Sequence, residues 1–201
     1  MKHVTTYLTT FIATVCCISC SEQQTNFTEY DLYSEMVNYS QHYATLHKII
    51  ISKQTKSSYS DYLDLEESDV DMSLLNEDFI DYVDLYTQSE NIAEWDEHKV
   101  LQSISQNTDF NDNEKLIFAL SIAFAYYIKN SDDIIITNAS AIDQCYAAYR
   151  IASRRALRRA IFTLAVGLLE PTIAGETLAI GMYALDMMEA DEDYQSCIAQ
   201  I

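Results

Sequence analysis

Two cysteines near the end of the chain have the spacing of a disulfide that closes a helical hairpin. Cys145 lies 26 residues before Pro171, the single proline, and Cys197 lies 26 residues after it. If two antiparallel helices turn at residues 170–172, both thiols reach the same level. We therefore predict a Cys145–Cys197 disulfide closing a loop of 52 residues. Two reduced, buried thiols or intermolecular pairing are the alternatives.

The same register predicts small side chains along the seam between the two helices. Helical positions advance by about 100° per residue, so a stripe of mostly small residues runs from Cys145 to Gly167 on one side of the first helix. Residues whose numbers sum to 342 meet across the turn: Ala152 with Ala190, Thr163 with Ala179, and Gly167 with Gly175. Small residues that face small residues allow the two backbones to approach closely.

Five arginines within ten positions could bind an anion or a partner. They are Arg150, Arg154, Arg155, Arg158 and Arg159. In the hairpin register this segment lies beside acidic residues of the second helix, so we expect neutralisation within the hairpin. These acidic residues are Asp186, Glu189, Asp191, Glu192 and Asp193. The alternatives are docking against the acidic N-terminal half and binding of phosphate or lipid headgroups.

Two segments resemble metal sites without completing them. Residues 109–113 open like a calcium-binding loop, but Glu114 stands where that loop needs glycine and Leu120 where it needs glutamate. A helix cap is the better interpretation. His42 and His47 are five residues apart, about 140° around a helix, unlike the spacing of a zinc pair. We expect surface histidines and no metal or cofactor.

The sequence shows none of the common catalytic motifs. A glycine-rich phosphate loop, a nucleophile elbow and a CxxC pair are all missing, and the chain has only three glycines. An acid pair formed by two distant carboxylates stays open. The 15 tyrosines, several spaced by three or four residues, are expected mostly at core edges, with part of the set available as a binding face.

The first twenty residues have the pattern of an export signal. Lys2 and His3 precede an apolar run from Val4 to Ile18, which ends in Ile18-Ser19-Cys20. This pattern resembles a bacterial lipoprotein signal. The resemblance implies removal of residues 1–19, acylation of Cys20, for example with palmitate, and the envelope of a Gram-negative-type bacterium. Ser21 favours the outer membrane. A plain secretory signal is the alternative, and the run is shorter than the ~20 residues of a membrane span.

The charge of the mature chain restricts its partners. Removing residues 1–19 takes away Lys2 and no acidic residue, so the net charge of -19 becomes -20. Nucleic acid is therefore not expected as a partner, because binding it requires a basic surface. Contact with the membrane would run through the lipid on Cys20. Acylation of Cys20 would leave Cys145 and Cys197 as the only pair, and an oxidising envelope suits their bonding.

The elements that must position these residues are all helical, and we predict an all-α fold with five to six helices. After a tether at residues 20–26, residues 27–201 form a single α-helical domain. It consists of an acidic helical part, 27–137, and a Cys-bridged antiparallel hairpin, 138–201. The expected helices of the acidic part are 27–53, capped by Asn26 or Thr28; 74–88; 92–104; and a buried helix over 116–128, capped by Asn111 or Asn113.

These features favour an envelope lipoprotein that acts as a non-enzymatic binding or structural module, with a protein or another envelope component as partner. The alternative is a membrane-active toxin or antimicrobial protein whose apolar segments Ala160–Leu169 and Ile173–Met188 insert as paired helices. Glu170 and Glu176 at the tip of the hairpin argue against insertion. An enzyme of unknown type ranks third.

Overall fold

A computed structural model describes residues 27–53, 71–131, 143–170 and 175–200, and within these ranges the protein is helical and has no strand. This confirms the all-α fold. Single 3-10 turns occur at Met72–Leu74 and Ile92–Glu94. The six α-helices within the described ranges are α1, Glu29–Lys53; α2, Glu77–Tyr86; α3, Glu97–Gln106; α4, Asp112–Lys129; α5, Asp143–Leu169; and α6, Gly175–Ile198.

Several sequence predictions fall outside the described residues. They are the signal sequence with Cys20, the tether at 20–26 and the hairpin turn at Pro171. The Ser- and Lys-rich segment 54–60 also predicts a loop, followed by an acid-rich connection that begins at Asp61. The β-branched run 134–137 predicts an extended connector, and Ser140 predicts a helix N-cap; these too lie outside the described residues.

Two predicted helix starts are explained by local hydrogen bonds. Thr28 caps α1: its hydroxyl accepts from the Asp31 N–H at 3.2 Å, and the Asp31 carboxylate accepts from the Thr28 N–H at 3.0 Å. At α4, the Asn111 side chain accepts from the Glu114 N–H at 3.0 Å, and Glu114 accepts from the Asn111 N–H at 2.8 Å. This capping box confirms that the calcium-like segment starts a helix.

The third predicted helix, over 92–104, is wrong as a continuous element. A 3-10 turn at Ile92–Glu94 is followed by extended backbone at Trp95, and α3 begins only at Glu97. Two side-chain bonds stabilise the break. Asn91 accepts from the Ala93 N–H at 3.1 Å, and the buried Trp95 indole donates to the Ser89 carbonyl at 3.0 Å.

The second predicted helix starts later than expected. Residues Met72–Leu74 form a separate 3-10 turn, and α2 begins at Glu77 instead of near Leu74. Asn76 sets this start, because its side chain accepts from the Asp78 N–H at 2.9 Å.

Helix α4 is the centre of the core. It packs against α1 on one side and α5 on another, and its apolar residues from Leu116 to Ala125 are buried. The ring of Phe118 stacks on that of Phe79 from α2, with centroids 4.0 Å apart. The expectation of a buried central helix is therefore confirmed, and its burial follows from apolar residues on every face.

Helices α5 and α6 pack against each other and carry the disulfide. The Cα atoms of Cys145 and Cys197 are 5.8 Å apart, within the usual range for a bonded pair. At the other end, the backbones of Gly167 and Gly175 touch. These contacts occur in opposite order along the two helices, as the register with numbers summing to 342 requires.

Candidate functional site

Three of the five arginines of α5 contact residues of the acidic N-terminal half instead of residues of α6. Residues 150, 154 and 158 recur every four positions, so they lie along one face of α5. That face of α5 lies against α2 and the segment that follows α2. Arg150 pairs with Glu90 at 3.6 Å, Arg154 donates to the Gln88 carbonyl at 3.1 Å, and Arg158 donates to Asp84 at 2.6 Å.

The expectation that the hairpin neutralises its own arginines is therefore wrong for most of them. Only Arg159 pairs with a residue of α6, with its guanidinium 3.3 Å from the Asp186 carboxylate. The five arginines are spread over about half of the circumference of α5. Because α6 packs against only one face of α5, it can reach only part of the cluster. The alternative expectation, docking of the arginines against the acidic N-terminal half, agrees with the contacts of Arg150, Arg154 and Arg158.

The remaining side of the arginine cluster borders a groove between α5 and α6, which we call the α5–α6 groove. Its cavity volume is about 480 Å³, within the range of small-molecule sites. Each helix contributes four residues with i, i+3, i+4, i+7 spacing, and Arg158 lies beside them. The eight residues are Ala152, Arg155, Ala156 and Arg159 on α5, and Asp186, Glu189, Ala190 and Asp193 on α6.

The i, i+3, i+4, i+7 spacing on both helices determines which side chains line the α5–α6 groove, and therefore its charge and its shape. The methyl groups of Ala156 and Ala190 are buried between the helices and leave room above them. Arginines border one wall and carboxylates the other. Of the five predicted arginines, Arg155, Arg158 and Arg159 line the groove, whereas Arg150 and Arg154 do not.

A second polar cluster joins α6 to α1 and escaped the sequence analysis. The Tyr39 hydroxyl donates to one oxygen of Glu176, and His42 Nε2 lies 3.0 Å from the other. Burial, and secondarily the charge of Glu176, raise the pKa of Tyr43, whose hydroxyl has no hydrogen-bond partner in the part of the chain that the structure describes. The available signal was Glu176 itself, the one charged residue among the apolar positions 175–185 that begin α6.

The prediction of two surface histidines is wrong for His47. Its side chain is buried, with Nδ1 3.2 Å from the hydroxyl of Tyr127 on α4. His47 follows Tyr43 by four positions and therefore shares the core-facing side of α1. His42 is half-buried against Glu176.

A buried ion pair between α3 and α4 was also missed. Lys129 Nζ lies 2.9 Å from Glu97, whose side chain is only 7% exposed. The Tyr86 hydroxyl donates to the same carboxylate at 2.9 Å, and Lys129 also donates to the Trp95 carbonyl. All polar partners here belong to the fold, so this pair holds helices together and offers no site for a ligand.

The tyrosines mostly lie where the sequence placed them, at the edges of the core. Tyr43 and Tyr86 are buried, Tyr39 and Tyr82 are partly buried, and Tyr30 is exposed. At the disulfide end, Tyr149 packs against Tyr194 with ring centroids 5.5 Å apart.

Within the described ranges, no three His, Cys, Asp or Glu side chains form a group that could hold a metal ion. None of the helices in those ranges is long and apolar enough to span a membrane. Comparisons of the chain with protein-family models, with curated proteins and with solved structures find no match.

Proposed function

We propose that this protein is an envelope lipoprotein, anchored to a membrane through acylated Cys20, whose acidic α-helical domain is a non-enzymatic binding or structural module. The observation that carries the proposal is the pattern of residues 2–20, a basic start and an apolar run ending in Ile18-Ser19-Cys20. Several acyl chains on one cysteine would anchor the domain stably, whereas a single chain would not.

The disulfide supports localisation of the protein in an oxidising compartment. Cys145 is 2% exposed, and its bond to Cys197 joins the ends of the two longest helices of the C-terminal part. Disulfides persist in the periplasm and at cell surfaces and are rare in the cytosol. A structural disulfide with one buried and one partly exposed cysteine is thus consistent with export of the chain.

The α5–α6 groove supports a binding role. It is a formed concave surface with convergent charged groups and small buried residues at its base. Such a surface is where a small ligand or a partner side chain would be expected. The acidic charge of the chain, -19, disfavours nucleic acid as the ligand.

The membrane-active alternative has less support from the fold. Ile161 and Leu164 in the first apolar segment, and Ile180 in the second, are fully buried in the core. Insertion of the hairpin would require these side chains to leave their contacts with the rest of the domain. Release of dye from liposomes by the purified protein at acidic and neutral pH would favour this alternative over the proposal.

Metabolic labelling with a palmitate analogue tests the proposal. The wild-type chain should be labelled and should fractionate with outer membranes. Cys20→Ala should abolish the label, while the control Cys16→Ala, which changes a cysteine inside the apolar run, should keep it. An unlabelled wild type, or label that survives Cys20→Ala, would refute the anchor.

A further inference from the structure

The two walls of the α5–α6 groove carry opposite charges. Three arginines lie on the α5 side and three carboxylates on the α6 side: Arg155, Arg158, Arg159, Asp186, Glu189 and Asp193. Formal charges in the lining therefore cancel, although the chain as a whole carries -19. This balance contrasts with the acidic excess of the chain as a whole.

Some of these charged side chains form ion pairs within the fold, and others do not. Arg159 is paired with Asp186, and Arg158 is paired with Asp84. In contrast, Arg155, which is exposed, forms no salt bridge with any residue of the described ranges. The same holds for the exposed Glu189 and Asp193 within those ranges, so each wall keeps a charged group that forms no ion pair with a described residue.

We infer that the α5–α6 groove binds a small zwitterion. Its anionic group would accept hydrogen bonds from the Arg155 guanidinium, and its ammonium group would donate to Glu189 and Asp193. A molecule with charge of one sign would be attracted by one wall and repelled by the other. A molecule with both signs satisfies both walls at once. This inference rests on the proposed binding role and names its ligand class.

The size of the groove limits the ligand. A volume of about 480 Å³ suits a molecule of the size of an amino acid or a short peptide. The buried alanine methyls at its base, on Ala156 and Ala190, leave space that longer side chains would fill. Two sources carry this chemistry in an envelope: peptides with free termini, and lipid headgroups that join a phosphate to an ammonium group.

Calorimetric titration of the full chain, purified in a non-ionic detergent at low ionic strength, tests the inference. The probes are trialanine and glycerophosphoethanolamine, which distinguish the two sources. Trialanine with an acetylated N-terminus or an amidated C-terminus loses one charge each. Wild type should bind at least one zwitterionic probe. If that probe is trialanine, each blocked form should bind about tenfold more weakly, since one charge-assisted hydrogen bond is lost.

Variants locate the binding on the two walls. Arg155→Gln should weaken binding of the zwitterion about tenfold and remove the extra loss caused by C-terminal amidation. Glu189→Gln should do the same for N-terminal acetylation. The controls are Arg154→Gln and Glu192→Gln, which change neighbouring residues that do not line the groove. They should leave binding unchanged, with unaltered helical circular dichroism in all four variants.

Absence of binding of both probes at millimolar concentration would overturn the inference, as would equal binding of doubly blocked trialanine. These readouts are independent of acylation. A chain that is labelled at Cys20 but binds neither probe loses only the ligand class, whereas a chain that binds but is not labelled loses only the anchor.

Discussion

Gly167 and Gly175 bring the backbones of α5 and α6 into direct contact. A Cβ atom on Gly167 would lie 3.0 Å from the Cα of Gly175, and a Cβ atom on Gly175 would lie 2.8 Å from the Cα of Gly167. Neither residue has positive φ, so it is the close approach that requires glycine here, not an unusual backbone conformation. Together with the disulfide at the opposite end, this contact fixes the register of the two helices.

Gly175→Ala should therefore destabilise the protein by about 1–3 kcal/mol, the usual cost of overpacking. The gain of about 1 kcal/mol that alanine brings in a helix interior does not offset this cost, because Gly175 is the first residue of α6. Urea unfolding measures the effect. Ser34→Ala, at an exposed position of α1, is the control and should be neutral or slightly stabilising. A stabilised Gly175→Ala would show that the helices do not touch there.

The Cys145–Cys197 disulfide closes a loop of 52 residues, and the chain-entropy relation gives about 4 kcal/mol of stability from it. The double variant Cys145→Ala and Cys197→Ala should lower the free energy of unfolding by roughly this amount. Reductant should lower the stability of the wild type and leave the double variant unaffected. Titration of two free thiols in unreduced protein isolated from the envelope would contradict the bond.

The disulfide-linked pairing of α5 with α6 could be predicted because its signals are local and redundant. The central position of Pro171, the two cysteines and the glycine pair all give the same register. Most of the helix pattern and the Asn111 cap likewise depend on residues within one or two turns.

Other features depended on contacts distant in sequence. The partners of Arg150, Arg154 and Arg158 lie more than 50 positions away, and the direction in which each arginine points is set by how α2 docks on α5. His47 is buried for a similar reason, since α4 covers its side of α1. Helical spacing alone could not show which of several faces the neighbouring helices would cover.

Removing one partner of the Lys129–Glu97 ion pair should cost more stability than the intact pair contributes. Both groups are largely withdrawn from water, with side chains 20% and 7% exposed. Lys129→Met leaves the Glu97 carboxylate without its countercharge and should cost about 3–5 kcal/mol.

Adding Glu97→Gln to Lys129→Met should recover part of that loss, because the remaining amide carries no charge. A double-mutant cycle from urea unfolding measures the coupling. As a control, Lys99→Met breaks the exposed pair with Asp96 and should cost less than about 1 kcal/mol. Equal losses for Lys129→Met and Lys99→Met would show that burial of the first pair contributes nothing.

Alkaline pH should destabilise the fold through its buried tyrosines. Burial raises the pKa of Tyr43 and of Tyr86, and the nearby carboxylates Glu176 and Glu97 add to this effect. Tyrosine in the unfolded chain ionises near pH 10. Because the folded pKa is raised, the contribution of each tyrosine is complete below about pH 10. Above that pH it falls by about 1.4 kcal/mol per pH unit, until the folded pKa is reached.

The variants Tyr43→Phe and Tyr86→Phe separate this effect from the hydrogen bonds of the two hydroxyls. The Tyr43 hydroxyl has no hydrogen-bond partner among the described residues, so Tyr43→Phe should be neutral or stabilising at pH 7 and should flatten the loss of stability between pH 10 and 11. Tyr86→Phe should flatten it equally but cost about 1–3 kcal/mol at pH 7, because Glu97 loses its donor. Urea unfolding across this pH range measures both slopes. An unchanged slope in Tyr43→Phe would mean that this tyrosine already ionises in the folded protein at its ordinary pKa.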